Sequence, residues 1–295
     1  MTKGINRRQF LYKGLAGAAA LTAGFANLGC KPATGTVVDR VTLGGSGLVV
    51  PRIAMGTGTV GGQRESNQTR LGMQKFIQIA RHAHDRGVGF FDMADLYGSH
   101  SFVREFLKEV PRDETCLLTK VWTLGGDWFE RETMAETLDR FRLETGSDYF
   151  DIFMLHCLVN DKWQEDKRYY IDAISKAKED GIIKATGVSC HNFDALRQAA
   201  EDPWVDVIMA RINPFGIRMD GPADDVMQVL ETARQNGKGI IGMKIFGQGD
   251  ITTDSEREQS LRYAVDSPNI HCMTLGFETT AHVDWAVDRV TSMIG

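Results

Sequence analysis

Cysteine is scarce and never closely paired in this chain. Five occur in 295 residues, and no two form a C-x-x-C pair. A zinc ribbon or a redox dithiol is therefore unsupported, and no metal site is expected. Cys116, Cys157, Cys190 and Cys272 all lie in apolar runs, where buried, unpaired thiols are expected rather than disulfides. Basic clusters are missing beyond the first residues, and the formal net charge is -5. That charge pattern excludes nucleic acid as a partner. The apolar stretch Gly14–Leu28 falls short of the ~20 residues that cross a bilayer as a stable helix, so a lasting membrane span is not expected there.

What precedes that stretch is informative. Asn6-Arg7-Arg8-Gln9-Phe10-Leu11-Tyr12-Lys13 followed by small apolar residues reads as a twin-arginine export signal. The export machinery it addresses carries folded proteins, often with a cofactor inside. Two ends for this segment stay open. Gly24-Phe25-Ala26 offers a cleavage site, and Leu28-Gly29-Cys30 resembles a lipoprotein site that would anchor the chain through a lipidated Cys30. The reading is a signal over residues 1–30, a linker over 31–37 and one domain over 38–295, acting outside the cytoplasm, in the periplasm or attached to a membrane. Few disulfides fit a protein that folds before export.

The domain alternates short apolar runs with amphipathic ones. The runs are Arg52–Met55, Gly87–Ala94, Cys116–Val121, Tyr149–His156, Lys184–His191, Val205–Asn213, Gly239–Phe246 and Ile270–Phe277. Helical spacing marks Thr69–Arg86, Glu130–Glu144, Asp166–Asp180 and Pro222–Asn236. Continuous apolar strands alternating with helices imply parallel strands buried on both faces. Eight such units give the α/β class, a (β/α)8 TIM barrel. Val38–Thr42 and Leu48–Val50 predict an N-terminal β-hairpin plugging one end. The alternative is an open doubly wound sheet. It needs a G-x-G-x-x-G turn, which Gly56-Thr57-Gly58-Thr59-Val60-Gly61-Gly62 does not supply.

In a barrel, chemistry belongs at the carboxyl ends of the strands. Asp92, Lys120 and His156 end three consecutive runs, and Tyr97 follows Asp92 by five residues. Singly, each has a plainer role as a helix cap, a core residue or a solvated rim residue. Together they place an acid, a phenol, an amine and an imidazole at one mouth. A phenol near pKa 10 is a poor acid at neutral pH, and a neighbouring ammonium lowers that value. Asp92 would hold Lys120, His156 would orient a carbonyl oxygen, and Tyr97 would protonate it. The hydride would come from a nicotinamide, since side chains cannot supply one. A sugar hydrolase needs two opposed carboxyl groups, and Asp92 and Asp95 are too close in sequence for that.

These residues carry a family likeness. Gly89-Phe90-Phe91-Asp92-Met93-Ala94-Asp95-Leu96-Tyr97-Gly98, Thr119-Lys120 and Ser147–His156 resemble the signature segments of the aldo-keto reductases. The strand ending Gly187-Val188-Ser189 is similar to the one that meets the nicotinamide amide. The resemblance implies that Asp92, Tyr97, Lys120 and His156 form a catalytic tetrad. It also implies bound NADP or NAD, contacted by Gly56, Thr57, Ser189, Cys190, Met209, Met243, Lys244 and Phe277. The chain departs from the family pattern around the cofactor. Cys190 replaces an Asn, Met209 a Gln and Met243 an aromatic, and Trp285-Ala286 replaces an acidic–amide pair. No Lys or Arg follows Gly276-Phe277, while Glu278 would repel a 2′-phosphate, which favours NAD(H). Trp122, Trp128 and Trp163 would frame the mouth, suiting a small carbonyl or sugar-like substrate. The charged stretch Glu256–Glu258 reads as a solvated helix face. The expected activity is carbonyl–alcohol interconversion, with the same cofactor molecule retained between turnovers. The alternative is a non-catalytic accessory protein on a reductase scaffold.

Overall fold

The computed structural model describes residues 37–125 and 132–295. The export-signal segment, Cys30 and Trp128 lie outside them. Ten strands are described. Strands β1 (Arg40–Thr42) and β2 (Val49–Pro51) form an antiparallel hairpin, with Val41 opposite Val50. The other eight are β3 (Ile53–Gly56), β4 (Phe90–Asp92), β5 (Cys116–Trp122), β6 (Phe150–Leu158), β7 (Ile183–Cys190), β8 (Val207–Arg211), β9 (Gly239–Met243) and β10 (Cys272–Gly276). They close into a barrel in the order β10-β3-β4-β5-β6-β7-β8-β9. Every neighbouring pair in it is parallel.

Alternation along each strand divides the core in two. Ala54, Leu118, Ile152, Met154, Ala185, Met209, Ile241 and Met243 fill the barrel interior. Their neighbours Met55, Leu117, Phe153, Leu155, Val188, Cys190, Ile208 and Ala210 join the outer layer that packs on the helices. Leu43 and Val50 of the hairpin region belong to the inner cluster. Gly45 N–H donates to Gly237 O at 2.7 Å. The hairpin therefore closes the end of the barrel opposite the strand carboxyl ends.

The helices follow capping chemistry. The run Thr69–Arg86 divides into Asn67–Arg70 and Met73–Asp85, because Gly72 between them adopts φ 82°. Within the described part of the run Glu130–Glu144, a helix spans Met134–Thr145, and Thr133 and Glu136 form its capping box. Asn192 caps Phe193–Glu201 through Ala195 N–H. Cys116, Cys190 and Cys272 are buried free thiols, and Cys157 is half-buried. Among the described residues no helix is long and apolar enough to cross a membrane, and no His/Cys/Asp/Glu group could hold a metal ion.

Candidate active site

The site begins where β4 ends. After Asp92 the chain makes a single 3₁₀ turn, Asp95–Tyr97, closed by Gly98 at φ 65°. A side chain at Gly98 would overlap the Arg64 backbone, so the turn requires glycine. Asp95, 1% exposed, anchors the turn by accepting from Arg64 at 2.7 Å and Arg140 at 2.9 Å. Arg140 also binds Glu132 and Glu144, and Glu144 binds His100 Nδ1 at 2.8 Å. His100 Nε2 lies 2.7 Å from Thr119 Oγ1, beside Lys120. One buried polar network thus braces both the Tyr97 turn and the Lys120 strand. Burial pushes Glu144 up, but the His100 hydrogen bond and charge, with Arg140, outweigh it and hold Glu144 at about 2.

Tyr97 has little room. A Cβ at Gly58 would overlap its ring, and one at Gly61 would stand 2.8 Å from Cδ1. Tyr97 Oη lies 3.3 Å from His156 Nε2, with the two rings edge to face. His156 is on β6, in phase with the interior residues Ile152 and Met154. The β6–β7 register shifts between Leu155 and Leu158, a bulge that contains His156 and Cys157. Bulges commonly re-aim side chains beside active sites. Trp122 stands edge-on to His156 at 5.4 Å. Lys120 Nζ donates to Asp92 Oδ1 and, at 2.9 Å, to Met93 O. Asp92 Oδ2 accepts from Thr274 Oγ1 at 2.9 Å. The four predicted catalytic side chains are brought together, with Lys120 Nζ 5.0 Å from the Tyr97 ring centroid.

The electrostatics correct one expectation. With Lys120 Nζ 5.0 Å from its ring, the phenol is still not made more acidic on balance. Burial, then the Asp92 and Cys157 charges, raise Tyr97 well above its ordinary value. Lys120 gives its hydrogen bonds to Asp92 and Met93, and burial lowers its own pKa against the pull of Asp92. Burial, then Lys120, His191 and Lys244, push His156 well below its usual range, so the imidazole is neutral.

A cavity of about 500 Å³ runs from Tyr97 and Asp92 to Trp285, within the ~300–1,000 Å³ usual for small-molecule sites. Of the residues predicted to contact a cofactor, Gly56, Met209, Met243, Lys244 and Phe277 line it. Thr57, Ser189 and Cys190 do not. Thr57 is one residue past Gly56 and faces outward, donating to Asp92 O at 2.8 Å. Cys190 is one past Ser189 and packs in the outer layer. Ser189 faces inward but is covered, its hydroxyl accepting Cys157 N–H at 2.9 Å. Trp163, expected at the mouth, is 1% exposed and packs against Trp204 in the core.

Sequence reading missed the far half of the cavity. Gln248, Gly249, Ile251 and Arg257 line it alongside Glu278, His282 and Trp285. Arg257 belongs to the stretch read as a solvated face, yet its Nε donates to Ile251 O at 3.3 Å, which turns it toward the cavity. The only sequence signal for this loop was its glycine content. An extended dinucleotide fits these residues. Gly56 and Gly58 leave a floor without side chains beside Tyr97, and a Cβ at Gly56 would come 2.8 Å from Thr274 Oγ1. Met209, Met243 and Phe277 offer an apolar face for a ring, and Lys244 and Arg257 offer positive charge for phosphates.

Comparisons with known proteins agree with this geometry. Residues 52–286 match the model of the aldo/keto reductase family. The chain is 26% identical over 249 residues to the NADH-specific methylglyoxal reductase of Escherichia coli (strain K12), covering 75% of this chain and 71% of that protein. It is 23% identical over 254 residues to the D-threo-aldose 1-dehydrogenase of Pseudomonas sp, covering 74% and 72%. In fold it is similar to an aldo-keto reductase from Klebsiella pneumoniae solved in complex with NADPH. That superposition has a TM-score of 0.66 at 17% identity and covers 86% of this chain and 90% of that one.

Proposed function

This chain belongs to the aldo/keto reductase family, and from that premise we propose that it reduces a small carbonyl compound with Tyr97 as the proton donor. The observation that carries this reading is the Tyr97–His156 contact of 3.3 Å beside a cavity that Tyr97 and Asp92 line, with the buried Lys120 paired to Asp92. The cavity residues would hold a reduced nicotinamide, which would supply the hydride and be left oxidised. The rest is the work of the chain's own groups. Tyr97 Oη gives its proton to the carbonyl oxygen. Neutral His156, protonated on Nε2, donates a hydrogen bond to that oxygen and leaves the phenol proton free for transfer. The charge left on the phenolate faces the Lys120 ammonium, which Asp92 and Thr274 hold in place.

The raised pKa of Tyr97 sets the direction. The group works as an acid only while protonated, and burial keeps it protonated through neutral pH. Carbonyl reduction is therefore flat across neutrality and falls only in alkali, whereas alcohol oxidation rises with pH. Tyr97→Phe lowers kcat for reduction by about a thousandfold, the usual scale for a lost general acid. A full-rate Phe variant would sink the reading, since an accessory protein does not depend on this hydroxyl.

For the cofactor, the placing of Glu278 supports NAD(H). Its carboxylate accepts Asn67 Nδ2–H at 2.8 Å and lines the far end of the cavity. There its negative charge opposes a 2′-phosphate. Glu278→Gln should shift the NADH-to-NADPH ratio of kcat/KM toward NADPH, and an unchanged ratio would remove this argument. We also propose that the Arg7-Arg8 segment sends the folded chain out of the cytoplasm with its cofactor retained. Cell fractionation of the wild type and an Arg7→Lys/Arg8→Lys variant tests export, Cys30→Ser tests the lipid anchor, and nicotinamide fluorescence of the purified chain tests retention.

A further inference from the structure

Two buried ion pairs at the barrel mouth are met one to one. Lys120 has Asp92, and Asp220, in the loop after β8, has Arg211 at the end of that strand. Arg140 is different. It stands on the helix Met134–Thr145, which packs on the outer face of the barrel, and its one guanidinium serves three carboxylates. It grips Asp95 with two prongs, Nη1 donating to Oδ1 and Nη2 to Oδ2, each at 2.9 Å. Nε donates to both oxygens of Glu132 at 2.9 Å, and Nη1 donates to Glu144 Oε1 at 3.1 Å. A flat fork of fixed donors suits that task, whereas an ammonium is a single point of charge.

Two of the predicted catalytic side chains are tied to that guanidinium. Asp95 opens the single turn that ends at Tyr97. Arg64 supports the same turn twice, donating from Nη2 to Asp95 Oδ1 at 2.7 Å and from its backbone N–H to Leu96 O at 2.9 Å. The other arm runs from Glu144 Oε2 to His100 Nδ1 at 2.8 Å, and from His100 Nε2 to Thr119 Oγ1 at 2.7 Å. Thr119 is fully buried and immediately precedes Lys120. Neighbouring residues of a strand face opposite sides of the wall, so holding Thr119 toward the helices holds Lys120 toward the interior. The side chains of Asp95 and His100 are 1% and 4% exposed, which leaves water poorly placed to replace a lost partner.

We propose that Arg140 is a positioning residue for turnover, its fork setting the place of Tyr97 relative to Lys120. This rests on the reductase reading, because that reading gives the chemistry to the groups Arg140 places. Arg140 does not line the cavity, so it meets neither substrate nor cofactor there. The charges that weigh most on Tyr97 are those of Asp92 and Cys157. Loss of Arg140 therefore acts through geometry, and a misplacement of about 1 Å at a reacting group costs on the order of a hundredfold in rate.

Arg112 supplies a matched control. Its side chain is 20% exposed, as is that of Arg140, and it pairs with Asp151 at 2.8 Å. It also donates to Thr115 O and Tyr149 O, residues directly before β5 and β6, so it lies at the end of the barrel away from Tyr97. The test combines steady-state kinetics on a panel of small aldehydes with NADH and nitrogen-15 NMR of histidine-labelled chain, the His156 signals assigned by their loss in His156→Gln. Arg140→Met, folded by circular dichroism, should lower kcat about thirtyfold while KM and NADH affinity stay within about twofold. Its His156 Nε2 resonance should shift as the 3.3 Å contact with Tyr97 opens. Arg112→Met should change neither kcat nor that resonance. Arg140→Lys keeps the charge without the fork and should lower kcat about tenfold, which carries the test if the Met variant does not fold. Wild-type kcat with an unmoved resonance in a folded Arg140 variant overturns the proposal. So does an equal loss of kcat in Arg112→Met, since any broken ion pair would then suffice. The two readings fail separately. A resonance that moves in Arg140→Met, in a chain whose wild type reduces no aldehyde, loses the reductase reading and keeps the placing of Tyr97. Undiminished reduction by Arg140→Met loses the positioning role alone.

Discussion

The two halves of the barrel mouth are built on opposite principles. On the arc from β4 to β6, Lys120 meets Asp92, Asp92 meets Thr274, and the Tyr97 turn is tied through Asp95 to two arginines. On the arc from β6 to β9, Asp220 Oδ2, His191 Nδ1 and the Lys244 ammonium have no partners among the described residues. The first arc is mostly finished by the chain itself, with His156 Nδ1 left over as a buried atom among the described residues. The second leaves more polar capacity unfilled among the described residues. Groups that handle protons need a fixed geometry before substrate arrives, and that geometry is fixed here chiefly by partners within the chain.

Stability measurements can break or sharpen this contrast. The largest effect is expected on the finished arc. Lys120→Met leaves Asp92 buried without its cation and should cost about 3–5 kcal/mol by urea unfolding, besides abolishing turnover. Next comes acid. Glu144 is held at about 2 against an ordinary value of 4.5. A depressed carboxylate contributes stability above its unfolded value, and that stability is lost as pH falls through the folded one. Thermal unfolding followed from pH 5 downward should show a loss of roughly 3 kcal/mol at most from this site. A smaller effect is expected on the open arc, where Asp220→Asn should cost about 1 kcal/mol, since Arg211 is partly solvated and can turn to water. The smallest is Lys244→Met. Removing an unmatched, half-buried cation should be neutral or stabilising by up to about 1 kcal/mol. Were Lys244→Met as damaging as Lys120→Met, the contrast between the arcs would be lost.

Much of the barrel is legible in the sequence because parallel strands buried on both faces leave continuous apolar runs, and all eight runs overlap observed strands. The four residues of the finished arc were legible for a related reason. Each ends a run or closely follows one, and a barrel sends all such positions to one rim. Side-chain direction was the harder matter. Gly56 and Thr57, or Ser189 and Cys190, differ by one residue and therefore point to opposite sides of the wall, which apolar composition does not report. The far half of the cavity was obscure because a loop and two helix starts build it, and Arg257 reaches it only through its bond to Ile251 O. The open arc was obscure because its members are far apart in sequence and Lys244 is aimed by a single unusual φ.

The glycines at 58 and 61 press on both edges of the phenol ring. In a saturation library selected for turnover, those two positions should be depleted almost as severely as 97 itself, although neither has a reactive atom. A map of intolerance on this chain would therefore outline the space the ring needs as well as the groups that react, and empty volume would register as a functional determinant.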